Sequence, residues 1–213
     1  MKRALSVVFA AALVVVTGLA WAGGMAKSGS FQRTISIRTT GASATESENY
    51  YWSGDRLRAE KFSINGVIIQ IKNGNTLYIY NPAAKEAMKA VLPSKYNKSV
   101  QQMLSEEAGT AKSGKKVGSA KVAGFDCDVY MVSKTSGGVT KSAKFYMCRD
   151  PRLPVPLKLE LTLGKVIQIV ETKNIKLNTS ISSSMFAVPK GTKVKEQKID
   201  PAAMKPAPGG PKK

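Results

Sequence analysis

Short runs in which apolar and polar residues alternate follow one another along most of this chain, with turn residues between them. The clearest run is Val155–Leu163, in which Leu157, Leu159, Leu161 and Leu163 are separated by polar residues. A period of two places the apolar side chains on one face of an extended strand. The chain is therefore restricted to a fold built mainly from one-faced strands.

Further runs of the same kind predict the other strands, and Asn-Gly pairs at Asn65-Gly66 and Asn73-Gly74 predict hairpin turns between some of them. The run Lys85–Leu92 is compatible with a helix because of its alanines, but its hairpin neighbours favour a strand. The remaining predicted strands are Phe31–Thr40, Arg56–Phe62, Val67–Ile71, Leu77–Tyr80, Val117–Val122, Cys127–Val132, Ser142–Cys148 and Val166–Leu177.

One segment in the middle of the chain predicts a helix. Ser94 is placed to cap it, Gly109 to end it, and Thr110–Gly118 is predicted as a loop. An apolar stripe at helical spacing is formed by Tyr96, Val100, Met103 and Leu104. The stripe either packs permanently on the sheet or belongs to a movable lid.

Together these elements predict about ten antiparallel strands in one sheet with a single helix. A sheet of that size tends to curl, which creates a concave apolar face that needs a cover. The fold class we expect is mainly β with a helical lid. The concave face is filled either by side chains and the helix or by a ligand.

The first 22 residues have the layout of a secretory signal peptide. Met1-Lys2-Arg3 is basic, Ala4–Leu19 is almost continuously apolar, and Ala20-Trp21-Ala22 fits a signal peptidase site. We expect cleavage after Ala22 and a periplasmic mature protein, with an uncleaved anchor helix as the alternative. The domain is predicted over residues 23–194. Residues 195–213 are predicted to be a disordered basic tail, since the last 13 of them include four prolines.

The composition narrows the classes of function. The formal net charge is +19 for the 213 residues, and +17 once the signal peptide is removed. Export makes nucleic acid a poor partner, so the charge indicates an anionic membrane or envelope polymer, or a solvated basic surface. The chain has no histidine and shows no phosphate-binding glycine loop. We therefore expect no enzyme, no cofactor and no metal site.

The two cysteines, Cys127 and Cys148, are separated by 20 residues. In an exported protein such a pair is interpreted first as a structural disulfide. A redox-active pair and a metal site are the alternatives, although reactive pairs are usually closer in sequence and two thiols without histidine make a poor metal site.

Several segments resemble, in order, an exported bacterial family of unknown function, DUF4412, and the broader superfamily of periplasmic lipoprotein carriers (LolA-like). The similar segments are Tyr51–Glu60 with its Gly-Asp and Arg-x-Glu, Gly118 with Val122–Tyr130, Phe145–Val155, Asn174–Asn178 and Met185–Pro189. The resemblance covers roughly residues 31–194. It implies an incomplete antiparallel barrel, a LolA-like half-barrel, wrapped around a helical lid. The cavity between them holds acyl chains in the carrier.

The leading functional hypothesis is a non-enzymatic periplasmic protein that binds a hydrophobic ligand, such as a lipid or an acylated protein, in the concave face. The candidate lining residues are Val67, Ile69, Ile71, Leu77, Ile79, Val100, Met103, Leu104, Leu157, Leu159 and Leu161. For each of them an ordinary core position is the simpler interpretation.

Two other hypotheses remain from the sequence. An envelope protein could dock anionic partners through basic residues of the predicted loop and tail, which are Lys112, Lys115, Lys116, Lys205, Lys212 and Lys213. A disulfide exchanger would use Cys127 and Cys148, and it requires a reducible, exposed bond. The sequence does not indicate an oligomeric state.

Overall fold

The computed structural model describes residues 24–136 and 139–198. The predicted signal peptide, residues 1–22, and most of the predicted basic tail lie outside the described residues. The predicted boundary between residues 194 and 195 falls inside the last described strand, Lys193–Glu196.

Twelve strands form one sheet in the order β12-β6-β5-β4-β3-β2-β1-β11-β10-β9-β8-β7. Every pairing is antiparallel except that of β12 with β6. Their bounds are Ser28–Thr39 (β1), Ala42–Ser53 (β2), Arg56–Ser63 (β3), Gly66–Asn73 (β4), Thr76–Asn81 (β5), Glu86–Val91 (β6), Lys115–Val122 (β7), Phe125–Ser136 (β8), Val139–Cys148 (β9), Pro156–Leu163 (β10), Val166–Leu177 (β11) and Lys193–Glu196 (β12).

The predicted fold class is confirmed, because the described chain is mostly strand, contains one α-helix and forms an open sheet with β12 and β7 at its edges. The segment predicted as Lys85–Leu92 forms the strand Glu86–Val91, so a strand rather than a helix is confirmed there. The sequence analysis missed β2 and β12. The first half of β2, residues 42–47, is mostly exposed and consists of Ala, Ser, Thr and Glu, so it shows little apolar alternation. Its pairing with β1 along its whole length defines it.

The helix, α1, spans Val100–Lys112, so its predicted start and end were wrong. Ser99 caps it rather than Ser94: Gln102 N donates to Ser99 Oγ at 3.2 Å, and Ser99 N donates to Gln102 Oε1 at 2.8 Å. Ser94–Tyr96 forms a separate turn of 3-10 helix. The described residues include no helix long and apolar enough to cross a membrane.

The predicted end at Gly109 and the predicted loop Thr110–Gly118 also need correction. The helix continues through Gly109 because Ala108 and Ala111, on either side of it, are buried against the sheet. The strand β7 then begins only three residues after the last helical residue. Packing on the sheet therefore outweighs the local preference of glycine for a helix end.

The sheet carries a separate core on each face. On the face that bears α1, called here the helix-side face, the core extends from β1 and β2 to β10 and includes Trp52 and Leu57. On the other face, called the outer face, β4 and β5 are covered by the segment Ile181–Val188, whose Phe186 is 3% exposed. The cover that the C-terminal segment provides on part of the outer face was not predicted from the sequence.

Candidate functional site

The candidate residues near the helix are packed core positions. Val100 and Leu104 on α1 belong to the same cluster as Leu157, and Leu159 lies in the adjoining cluster with Ala108. All of them are less than a tenth exposed. The half-buried Leu161 packs against the second cluster. The space between helix and sheet is therefore filled by side chains here.

Three further candidates lie on the outer face. Ile69 and Ile71 are buried with Phe186, and the half-buried Val67 packs against them. In a strand, successive side chains point to opposite faces. The odd-numbered residues of β4 therefore face away from α1, and they do not join the candidates beneath the helix.

Leu77 and Ile79 do lie on the helix-side face, beyond the edge of α1. Leu77 pairs with Ala90, and Ile79 pairs with Met88, which is 43% exposed. Together with neighbouring apolar residues on this face they form what we call the open strip. Its members are Ala59, Ile68, Leu77, Ile79, Met88 and Ala90.

Met103 is 37% exposed on α1. It lies one helical turn before Glu107, which reaches β1, so both residues are on the same side of the helix. This side of the helix therefore lies over β1, where Arg33 stands. Met103 is thus partly exposed at the edge of the helix, whereas the members of the open strip lie on β3–β6.

A bidentate ion pair attaches the middle of α1 to the sheet. Arg33 on β1 donates from Nη1 to Glu107 Oε1 at 3.1 Å and from Nη2 to Glu107 Oε2 at 2.7 Å. The guanidinium lies 5.3 Å from the ring centre of Phe31 and 5.4 Å from that of Tyr50. Burial alone lowers the pKa of Arg33, but Glu107, Tyr50 and Glu48 outweigh it and the pKa is raised.

A second polar group holds the start of the helix. Asp55, in the turn between β2 and β3, accepts a hydrogen bond from Lys72 Nζ at 3.1 Å and one from Val100 N at 3.2 Å. The Lys72 side chain is only 1% exposed and also donates to Gly74 O at 2.6 Å. The Gly-Asp of the Tyr51–Glu60 segment therefore serves to position α1.

The arginines of that same segment hold the C-terminal segment on the outer face. Arg56 lies over the Phe186 ring at 4.9 Å. Arg58 donates to Met185 O at 3.1 Å and to Glu60 Oε1 at 2.7 Å. The motif thus connects the two faces of the sheet. Asp55 binds the first turn of α1 on one face, and Arg56 and Arg58 contact the C-terminal segment on the other.

Sequence reasoning missed Arg33 and Glu107. Arg33 stands in an alternating strand at a position where an apolar residue would face the core, since Phe31 and Ile35 are buried on either side of it. A charged residue in phase with core residues is the signal that could have identified it.

Two surface clefts lie on other parts of the protein. One, of about 420 Å³, is lined by residues of β1 and β11 that include Gln32 and Asn174. The other, of about 530 Å³, lies beside Phe186 and Val194. None of the eleven candidate residues lines either cleft.

Cys127 and Cys148 are both buried and free, so the predicted disulfide is absent from the structure. The two residues are nevertheless directly opposite each other on β8 and β9. Arg149 N donates to Asp126 O at 2.9 Å, which makes the neighbouring residues a hydrogen-bonded pair. The cysteines then form a non-hydrogen-bonded pair, where Cα atoms are about 4.5 Å apart, a separation that a disulfide can span.

Burial raises the pKa of Cys127 to about 11 and also raises the pKa of Cys148. The thiolate, which is the reactive form, is therefore disfavoured at both positions. This environment does not fit an exposed, reactive exchange site. Among residues 24–136 and 139–198, no group of three or more His, Cys, Asp or Glu side chains could hold a metal ion.

Several solved structures are similar to this chain at low sequence identity. An uncharacterized conserved protein from Thermus thermophilus is 11% identical, with 79% of this chain and 90% of that chain covered and a TM-score of 0.50. The LolA superfamily protein NE2245 from Nitrosomonas europaea is 7% identical, with 76% and 90% covered and a TM-score of 0.42. At this identity the Thermus structure is informative about the fold alone.

A third comparison is with the Pseudomonas aeruginosa MucA/MucB complex, at 16% identity and a TM-score of 0.45, where 76% of this chain and 56% of the matched chain are covered. No curated protein matches the chain. The family profile described as Domain of unknown function (DUF4412) matches residues 31–150, more than half of the sequence. The chain therefore belongs to the DUF4412 family.

Proposed function

We propose that this chain is an exported, non-enzymatic protein of the periplasm that binds a hydrophobic ligand, a lipid or an acylated protein, on the helix-side face. The observation that carries the proposal is the open strip, in which Ile68 is 38% and Met88 43% exposed. Within the strip, Leu77, Ile79, Met88 and Ala90 lie together on two neighbouring strands, and Gln70 stands between them and Ala59 and Ile68. Exposed apolar residues that lie together on one sheet face are a feature of binding surfaces. Burial of acyl CH₂ groups there contributes about 0.8 kcal/mol each.

The helix supports the proposal because its two halves are held differently. The first half inserts Val100 and Leu104 into the core, and Asp55 fixes its first turn. The second half buries only Ala108 and Ala111. Alanine buries little apolar area, so lifting this half exposes less apolar surface than lifting the first and requires mainly that the ion pair of Glu107 with Arg33 be replaced. In the proposal, the second half of α1 moves and enlarges the open strip towards β1.

The competing hypothesis of a basic docking surface gains no specific support from the described residues. Lys116 pairs with Asp128 at 2.9 Å, and Lys115 stands beside it on β7. Lysines on an edge strand such as β7 also protect it from pairing with another chain. The tail lysines of this hypothesis, Lys205, Lys212 and Lys213, lie outside the described residues.

The test is binding of a fluorescent acyl probe to the mature protein, at low and at raised salt. We expect binding that raised salt leaves nearly unchanged, since apolar burial is not screened. Met88→Glu should weaken it about tenfold, because about 1.4 kcal/mol of apolar contact is lost. The matched control is Ile167→Glu, on the outer face, where Ile167 is 44% exposed. Equal effects of both variants, or no uptake by the wild type, would refute the proposal.

A further inference from the structure

We propose that Arg33 and the open strip form one site for a single-chain lipid with a carboxylate head group, and that this head group replaces Glu107 on Arg33. The inference rests on the proposed function and deepens it by naming the class of ligand and the group that receives its head. It also assigns Glu107 the role of an internal competitor that occupies the site when no ligand is bound.

Arg33 is prepared for an anion. Its side chain is 10% exposed, and its Nε is buried without a hydrogen-bond partner. The rings of Phe31 and Tyr50 fix the guanidinium plane from nearby. A buried guanidinium without an anion is costly, and its fork of donors fits a carboxylate with two parallel hydrogen bonds. One donor of this fork, Nε, remains unused by Glu107.

The Glu107 carboxylate can be displaced from Arg33 by a ligand. Its side chain is 39% exposed, although its partner is almost fully buried. It stands on the half of α1 that buries only alanines. A free carboxylate can reproduce both of its hydrogen bonds, so the exchange leaves Arg33 paired throughout. The released Glu107 then gains full hydration, and the helix loses its attachment to β1.

The register of the sheet connects Arg33 to the open strip. Phe31, beside Arg33, pairs with Tyr50, and Tyr50 pairs with Ala59. The same row continues through Gln70 and Ile79 to Met88. Strands are spaced about 4.8 Å apart, so the row from β2 to β6 is about 19 Å long. A lipid with its head on Arg33 can lay its acyl chain along this row.

Other charges near Arg33 are already engaged. Tyr50 Oη donates to Glu48 Oε2 at 2.8 Å, and Lys61 pairs with Glu46 at 2.9 Å. Glu107 is therefore the carboxylate that a ligand must replace. The net charge of +17 that remains without the predicted signal peptide further favours the approach of an anionic lipid over a neutral one.

The experiment compares dodecanoate with dodecanol as competitors of a neutral fluorescent acyl probe on the mature protein. We expect wild-type protein to bind dodecanoate at least about threefold more tightly than dodecanol, which is less than one full charge-assisted pair would give because Glu107 must be displaced. Glu107→Gln should strengthen dodecanoate binding and leave dodecanol unchanged, because only the carboxylate competes with Glu107. Arg33→Gln should remove the preference between the two competitors.

The matched control is Glu106→Gln. Glu106 is 38% exposed, stands next to Glu107 and forms its ion pair with Lys98. It should change neither affinity. Circular dichroism establishes whether Arg33→Gln is folded, and if it is not, the Glu107→Gln result decides. If dodecanoate and dodecanol bind equally well to the wild type and also to Glu107→Gln, this inference is overturned and the proposed function is kept. Binding of neither competitor, and no uptake of the probe, overturns both.

Discussion

Asp55 Oδ1 lies 3.2 Å from the main-chain nitrogen of Val100, and this contact joins the turn after β2 to the first residue of α1. The same oxygen lies 3.1 Å from Lys72 Nζ. One carboxylate thus satisfies a free N–H group at the helix start and neutralises a buried ammonium. The helix is positioned on the sheet by residues 45 positions away in sequence.

Asp55→Asn should destabilise the protein by about 2 kcal/mol, because it leaves the buried charge of Lys72 without its partner. The asparagine oxygen can still accept from Val100 N, so the loss reports mainly on the charge. Urea unfolding followed by circular dichroism measures it. Adding Lys72→Met should recover most of the loss. If the double variant is as unstable as Asp55→Asn, Lys72 is not the cause.

Gly29→Ala should destabilise the protein by about 2 kcal/mol or more, because a Cβ at this position has no room. It would lie 2.5 Å from Lys176 O and 2.5 Å from the ring of Trp52, a fully buried residue whose Nε1 donates to Ala26 O. Gly118→Ala is the control, since nothing lies within 4 Å of its Cβ position. Thermal melts of the two variants should differ clearly, and equal melting temperatures would contradict the packing seen around Gly29.

Cys127 and Cys148 should form a disulfide when the protein is exported into an oxidising compartment. Mass spectrometry of the protein should then show a loss of two hydrogen atoms and no alkylation after unfolding. The bond closes a loop of 20 intervening residues and should stabilise the fold by roughly 3 kcal/mol in the chain-entropy account. The variant Cys127→Ser with Cys148→Ser gives the reference stability. Two alkylatable thiols in the exported protein would refute this prediction.

The reduced, folded protein should react slowly with iodoacetamide at pH 8. The pKa of Cys127 is raised to about 11 and that of Cys148 is raised as well, so both remain protonated thiols at that pH. The rate should approach that of free cysteine only after unfolding. Rapid alkylation of the folded protein would indicate that the β8–β9 hairpin opens.

Asp128→Asn should reduce stability at pH 7 by less than about 1 kcal/mol and have no effect in strong acid. Hydrogen bonds from Lys116 and then Arg149 lower the pKa of Asp128 below 3.8, against the opposing effect of burial. A carboxyl group whose pKa is lower in the folded state stabilises the fold at pH values above its pKa in the unfolded chain. This contribution is lost as the pH falls through the pKa of the folded state. Urea unfolding of the wild type and Asp128→Asn between pH 2 and 7 measures this change in stability, and Asp126→Asn, at an exposed position, is the control. A difference in free energy of unfolding between wild type and Asp128→Asn that stays constant over this pH range would contradict the prediction.

The extent to which the sequence predicted the fold depended on apolar alternation. Val166–Leu177 was predicted with the bounds of β11, because apolar residues and turn residues mark both its ends. The start of the helix was predicted too early because Ser94 is a residue type that caps helices, whereas Ser99 and Gln102 form the actual capping box. The strand β2 was missed because its polar residues form a strand only by pairing with β1.

The candidate site was predicted only in part, because a strand pattern does not reveal which face is covered. Ile71 and Leu77 are both apolar strand residues near the same turn, yet they point to opposite faces. Ile71 is buried with Phe186 from a segment more than 100 residues later, whereas Leu77 belongs to the open strip. Only the register of the strands separates the two.

By itself, the sequence determined a sheet of antiparallel strands with one helix, because periodicity and turn residues are local properties. The tertiary structure decided that Asp55 and Arg33 hold the helix, that Phe186 closes the outer face, and that the strip around Ile79 stays open. These features depend on contacts between residues far apart in the chain. Such contacts form only when the register of the whole sheet is set.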